Sequence, residues 1–313
     1  SILPPEKATF QEAALSPDGK LLAFTAISEG KRQLWVRPLN SAAAQPLAGT
    51  EQARALFWSP DSRWIGFFAR GKLSKIQATG GPVQAICDTT LPLGAAWSAE
   101  GVILFSNLGF GLYRVPAQGG TPVAVTTLDR TRAERAHLWP VFLPGGRRYL
   151  YLITGNDPNT AGIYLGALDT AERTRLLGDA NSPGYAMGPT GEGYLLFLRQ
   201  GTLLAQRLDA ERGVLTGEAF PVAEKVGTNS ILGRARYSVA GTGLLTYDSG
   251  SRNTFQLTWV DRAGAVLETV GEPFAREALF DQRFARASLP AGDLLAKDFV
   301  HILLKNWSGH MAL

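Results

Sequence analysis

Histidine, cysteine and paired carboxylates build most catalytic and metal sites, and this sequence is sparing with the first two. Its 313 residues hold three histidines, His137, His301 and His310, and one cysteine, Cys87. A nucleophile–histidine–acid site would have to use His137, because His301 and His310 lie in a tail unlike the rest of the chain. No Gly-x-Ser-x-Gly elbow precedes a helix-like stretch. A lone cysteine supports neither a disulfide framework nor a thiolate zinc site; Cys87 reads as a free core thiol. The carboxylate pairs Glu272/Glu277 and Asp157/Asp169 lack a supporting partner and read as solvent-facing. There is no Asp-x-Asp-x-Asp-Gly calcium loop. Gly109-Phe110-Gly111 and Gly241-Thr242-Gly243 are too short for nucleotide fingerprints. No catalytic residue, metal ligand or cofactor is therefore assigned. The remaining chemistry is charge. Glu12, Arg54, Arg135, His137, Tyr185, Arg234 and Arg236 form a set rich in guanidinium groups, which suit an anionic small ligand or a peptide carboxylate. Whether they can act together depends on the elements that carry them.

Those elements come from a repeat. Leu15-Ser16-Pro17-Asp18-Gly19 before Leu21-Leu22-Ala23-Phe24 is echoed by Trp58-Ser59-Pro60-Asp61-Ser62 before Trp64-Ile65-Gly66-Phe67, and by Trp97-Ser98-Ala99-Glu100-Gly101 before Val102-Ile103-Leu104-Phe105. Weaker copies start at Leu143, Gly188 and Ser238, so the markers fall at 16, 59, 98, 143, 188 and 238. The spacing of roughly 44 residues matches the ~40–50-residue period of propeller blades. Proline presets the turn, Asp accepts hydrogen bonds from the following backbone, and Gly supplies the left-handed residue that closes a hairpin. Asp18 and Asp61 are therefore structural. A second recurring unit, Leu34-Trp35-Val36, Leu73-Ser74-Lys75-Ile76, Leu112-Tyr113-Arg114-Val115, Ile163-Tyr164-Leu165, Leu203-Leu204-Ala205 and Leu257-Thr258-Trp259-Val260, reads as a third strand in each repeat.

The pattern predicts an all-β chain: a six-bladed β-propeller of four-stranded antiparallel blades over 1–270, with a divergent 271–313. That end reads as an irregular or helical tail, with a helix starting at Glu272-Pro273-Phe274-Ala275; a seventh, incomplete blade is the alternative. The inner strand of each blade starts at one face of the ring, so the seven residues above would border the channel mouth. The alternative is that they are ordinary solvated loop residues paired with nearby acids.

Composition agrees. Charged residues are 19% of the chain, apolar residues 45%, and glycine is 35 of 313, which suits many tight turns joining buried strands and excludes disorder. The net charge is +4, but the basic residues are scattered, so a nucleic-acid stripe is not expected. No apolar run is long enough for a membrane helix. The start, Ser1-Ile2-Leu3-Pro4, has neither an initiator Met nor a signal peptide, so the chain reads as a fragment or mature product.

The Ser-Pro-Asp-Gly turn followed by an apolar strand resembles TolB-type, WD-repeat-like propellers. The stretches 34–49 (LWVRPLNSAAAQPLAG), 57–71 (FWSPDSRWIGFFARG), 139–144 (WPVFLP) and 256–262 (QLTWVDR) resemble more narrowly the C-terminal propeller region of bacterial, especially acidobacterial, transmembrane serine/threonine protein kinases. The resemblance covers roughly residues 1–272. It implies a non-catalytic, monomeric sensor or interaction module, periplasmic or otherwise extracytoplasmic, whose parent is membrane-anchored. A free-standing periplasmic TolB-like scaffold is the alternative, and the propeller of a prolyl-oligopeptidase-like hydrolase a third. The kinase motifs themselves are missing from the chain, so the resemblance carries over no catalytic residue.

Overall fold

A computed structural model describes residues 9–248, apart from 42, 180, 189, 230 and 231, together with the strand backbones of 254–260, 266–275 and 302–306. The chain divides into two compact units, 1–249 and 250–313.

In the first unit five antiparallel sheets follow one another, each with its strands in sequence order. The first blade is β1 (Thr9–Leu15), β2 (Leu21–Ser28), β3 (Lys31–Pro38) and β4 (Gln45–Pro46). The second is β5 (Arg54–Trp58), β6 (Trp64–Ala69), β7 (Lys72–Gln77) and β8 (Gln84–Asp88). The third is β9 (Pro92–Trp97), β10 (Val102–Asn107), β11 (Leu112–Pro116) and β12 (Val123–Ala124). The fourth is β13 (Glu134–Phe142), β14 (Arg148–Gly155), β15 (Gly162–Ala167) and β16 (Thr170–Leu177). The fifth is β17 (Gly184–Met187), β18 (Gly193–Arg199), β19 (Thr202–Asp209) and β20 (Val214–Ala223). A short ladder, β21 (Thr228–Asn229) with β22 (Arg234–Ala235), leads to a hairpin of β23 (Tyr237–Val239) and β24 (Leu245–Tyr247). The one helical element among the described residues is a 3-10 turn, Arg130–Arg132.

The propeller arrangement is as expected, but among the described residues there are five four-stranded blades, not six or seven. Among those residues the sixth position holds the β23–β24 hairpin. The predicted sixth third strand, Leu257–Val260, lies in β25 (Thr254–Val260) of the second unit, paired with β26 (Val266–Ala275) and β27 (Ile302–Asn306). The predicted helix start at Glu272-Pro273-Phe274-Ala275 is strand as well, with Phe274 opposite Phe255. Strand pairing overrides a local capping pattern there. The rest of the expected tail lies outside the described residues.

The repeated turn works as its chemistry requires. The Ser16 hydroxyl donates to Asp18 Oδ1 at 2.6 Å and accepts from Leu21 N–H at 2.9 Å, while Gly19, at φ +68°, donates its N–H to Ser16 O. Ser59 and Asp61 repeat this at 2.5 Å, with Ser62 in the left-handed place at φ +60°. Burial alone would raise the Asp18 carboxyl, but the Ser16 hydroxyl and Lys20 N–H outweigh it and hold it below the ordinary value. In the sixth copy the closing bond runs from Gly243 N–H to Ala240 O. The structural marker is therefore Ala240, two residues beyond the Ser238 marker read from sequence.

Each blade is buried on both faces by its neighbours, so its inner strands are nearly continuous apolar runs. The second strand of the first blade, for example, buries Leu22, Ala23, Phe24, Thr25 and Ala26 together. Apolar clusters fill the seams. Leu34, Trp58 and Phe67 join blades one and two, and Phe57, Phe68 and Phe105 join two and three. Leu104 and Tyr151 join three and four; Leu165 and Phe197 join four and five. Leu198 and Val226 meet the hairpin, and Leu22 and Phe24 meet its Ala240. Fully burying each such side chain is worth ~1.5–3 kcal/mol. The last seam closes the ring: Leu15 N–H donates to Ser238 Oγ at 2.9 Å, and Gly241 N–H to Pro17 O at 2.9 Å.

Candidate functional site

The axis of the ring is where the inner strands converge. An open cavity of about 130 Å3 lies there, lined by Ala55, Gly94, Trp139, Ser182, Arg234 and Tyr237, among others. The inner strands are bulged where they reach it: the β13 register slips between Leu138 and Val141, and that of β5 between Arg54 and Phe57. Trp139 and Ala55 take left-handed backbone there, at φ +54° and +50°. Such conformations are uncommon for non-glycine residues and re-aim side chains at functional or closing positions. The Trp139 indole N–H crosses to Leu232 O at 2.7 Å. Its ring lies on Gly94, where an added Cβ would be 2.5 Å from a ring carbon. The Arg234 guanidinium sits 5.0 Å above the same ring and pairs with Glu12 Oε2 at 2.8 Å. Glu12 Oε1 accepts Ala55 N–H at 2.6 Å. Indole, guanidinium and carboxylate thus meet beside the cavity and tie the first strand to a segment 222 residues away.

The seven predicted residues separate into groups. Glu12 and Arg234 are together, but as partners of each other, so their charges cancel rather than summing towards an anion. Arg54 and Arg135, the first and second residues of their inner strands, are exposed. Neither has an ion-pair partner among the described residues. Arg236 is turned to Asp248, at 3.0 Å. Tyr185 is half-buried against the cluster between blades four and five, its ring over Gly193. Of the four arginines, Arg54 and Arg135 are thus the two without an ion-pair partner among the described residues.

His137 does not border the channel. It is fully buried between blades three and four. Its Nδ1 lies 2.7 Å from Thr126 Oγ1 and its Nε2 3.1 Å from Glu134 Oε2. Glu134, itself 1% exposed, also accepts Asp129 N–H at 2.7 Å and the Arg173 guanidinium at 2.6 and 3.2 Å. The ionised Glu134 can only accept, so Nε2 carries the ring proton and Nδ1 accepts from the Thr126 hydroxyl, whose oxygen in turn accepts Leu112 N–H at 2.8 Å. This assigns a neutral imidazole that donates from Nε2 to Glu134. Burial lowers the imidazole's affinity for a proton despite the raising effect of Glu134. The Glu134 carboxyl, which burial alone would raise, is held down to about 2 by hydrogen bonds from His137, Asp129 N–H and Arg173. The order hydroxyl, imidazole, carboxylate is that of a nucleophilic site. With the imidazole sealed and the hydroxyl engaged by two blades, however, the cluster acts as a seam tie.

Sequence reasoning missed Trp139, Glu134, Thr126 and Arg173. Trp139 carried a signal in its place within the fourth inner strand; the others meet only through blade stacking. Among the described residues no cluster of three or more His, Cys, Asp or Glu could hold a metal, and no helix is long and apolar enough to cross a membrane.

No family model matches this chain, and no curated protein does. Solved structures do. TolB from Acinetobacter baumannii superposes with TM-score 0.53 at 13% identity, over 73% of this chain and 56% of that one. This chain thus spans little more than half of that TolB. A putative TolB from Agrobacterium tumefaciens gives TM-score 0.55 at 15% identity, over 77% of this chain and 90% of that one. An oligogalacturonate lyase in complex with manganese gives 0.56 at 13% identity, over 80% and 74%. At these identities the likeness is one of fold: this chain is a β-propeller with TolB-like fold neighbours.

Proposed function

We propose that this chain is a non-catalytic binding module. It engages a protein, peptide or anionic small ligand on the face where the inner strands begin, and needs no cofactor. The observation that carries this is a pair of free charges beside a tied axis. Trp139, Arg234 and Glu12 engage one another at the axis, while Arg54 and Arg135, at the starts of their inner strands, stand exposed without an ion-pair partner among the described residues. Two unpaired guanidinium groups offer forked donors to carboxylate or phosphate. The one histidine of the ring is occupied in a seam, which agrees with binding rather than turnover.

The test uses a fluorescent tetra-aspartate peptide as probe. Saturable, salt-sensitive binding is expected, weakened at least tenfold by Arg54→Ala with Arg135→Ala. Chromogenic peptide and ester substrates should not turn over. Titratable turnover, or binding unchanged in the double variant, would overturn the reading.

The kinase-sensor form of this reading, with an extracytoplasmic location, rests on the sequence resemblance. The TolB-like fold neighbours favour a second form, a free-standing periplasmic interaction scaffold. The coding sequence upstream of Ser1 separates them: a kinase domain and an apolar span support the first, a signal peptide the second.

A further inference from the structure

Leu91, Leu108 and Phe110 are large apolar side chains left to solvent, at 56%, 41% and 49% exposure. They belong to two adjoining loops of blade three. Leu91 precedes β9, while Leu108 and Phe110 lie in the turn from β10 into β11. Asn107 lies opposite Pro92 in the register, so both loops sit where the inner strand begins. Backbone bonds fix them there. Leu108 N–H donates to Leu91 O at 2.8 Å, and Phe110 N–H to Asn107 O at 3.1 Å. Phe110 O in turn accepts His137 N–H at 3.0 Å, and the Arg130 guanidinium donates to Gly109 O at 3.1 Å. The backbone is thus held while the side chains stay in water. Exposed apolar groups gathered in one place mark an interaction surface, where scattered ones do not, and loops fixed in advance lose little freedom on binding.

The charges beside this patch say what covers it. The inner strands β5, β9 and β13 are neighbours round the axis. Arg54 opens β5 and Arg135 is the second residue of β13, so in blade order the patch stands between them. Neither has an ion-pair partner among the described residues. The carboxylates near these strand starts are committed: Glu51 to Arg70 at 3.3 Å, Asp129 to the N–H groups of Thr131 and Arg132, and Glu134 to Arg173. An apolar centre with a free guanidinium on either side fits a segment of the complementary pattern, an apolar centre between carboxylates.

We propose that the blade-three loops dock a short linear segment of another protein, an aliphatic–aromatic pair flanked on both sides by Asp or Glu. Its apolar side chains cover Leu91, Leu108 and Phe110, and its carboxylates meet Arg54 and Arg135. This rests on the binding reading given above and names the chemistry of the partner.

The experiment measures, by fluorescence anisotropy, the binding of two labelled hexapeptides of equal charge to the full chain: Asp-Asp-Leu-Phe-Asp-Asp and Asp-Asp-Gly-Gly-Asp-Asp. The first is expected to bind at least fivefold tighter, and the ratio should persist at high salt, which screens charges and leaves the apolar contact. Leu108→Ser with Phe110→Ser should cut the ratio below twofold and leave the affinity of the glycine peptide within twofold. Should that variant fail to fold, Leu91→Ser, on the other loop, carries the test and should at least halve the ratio. Met187→Ser, which removes a side chain 45% exposed at the far end of the inner strand β17, should leave both affinities unchanged. Binding of both peptides with a ratio below fivefold, or a ratio that survives the loop substitutions, overturns this inference and leaves the rim reading standing; binding of neither overturns both. Sedimentation of the chain with phosphatidylglycerol vesicles, lost in Leu108→Ser with Phe110→Ser, would assign the patch to a membrane surface and overturn the inference as well.

Discussion

Replacing Glu134 by glutamine removes one charge from the tie between blades three and four and leaves its shape. The carboxylate accepts Asp129 N–H, two Arg173 nitrogens and the His137 Nε2 proton, at 2.6–3.2 Å. Held at about 2 against an ordinary value of 4.5, the group contributes about 3 kcal/mol of stability at neutral pH by linkage. The sign follows from the depressed value. As pH falls, the unfolded chain takes up this proton first. The contribution is complete above about 4.5 and is lost as pH falls towards about 2. Glu134→Gln forfeits it and leaves the Arg173 charge, 22% exposed, without its partner, so a loss of about 3 kcal/mol is expected at pH 7. The assay is urea unfolding of both proteins at pH 7, 5, 4 and 3. The gap between them should be largest at pH 7 and shrink below pH 4.5. A gap under about 0.5 kcal/mol at pH 7, or one unchanged between pH 5 and 3, would refute the assignment of Glu134 as a buried, ionised tie.

Two further outcomes follow from packing and burial. A Cβ at Gly66 would lie 2.1 Å from Phe57 Cζ, its cross-strand neighbour, so Gly66→Ala should lower stability by ~1–3 kcal/mol, read as a drop in urea midpoint. Burial, and after it the Asp88 charge, push the Cys87 thiol up to about 11 against a smaller opposing effect of Lys72. Cys87 should therefore react with iodoacetamide at pH 8 much more slowly than in urea-unfolded protein; equal rates would contradict its placement.

The blade architecture was legible because it is local. Ser16 and Asp18, or Ser59 and Asp61, make their turn within about five residues, so the motif announces a hairpin wherever it occurs. The third strands at Leu34, Leu73, Leu112, Ile163 and Leu203 followed from the same spacing. The blade count did not, because a repeat unit in the sequence does not say which sheet its third strand joins; Leu257–Val260 pairs within the second unit. The site was least legible. Glu12 meets Arg234 across 222 residues, and Glu134 meets Arg173 across 39. Residue type placed the arginines at the starts of the inner strands, yet only ring closure decides which of them keep a free charge. His137 illustrates the same limit: its neighbours in sequence suggested a loop edge, while stacking of blade three over blade four seals it.

Recognition at the rim requires an axis already engaged by the protein's own side chains. The Trp139 indole N–H, which donates to Leu232 O at 2.7 Å, reports on that engagement directly. Hydrogen exchange of this one proton, followed by NMR in the intact chain, should be as slow as that of amides in the core strands β10 and β14. Exchange at the rate of an exposed indole would show that Trp139 is not held at the axis and contradict the account.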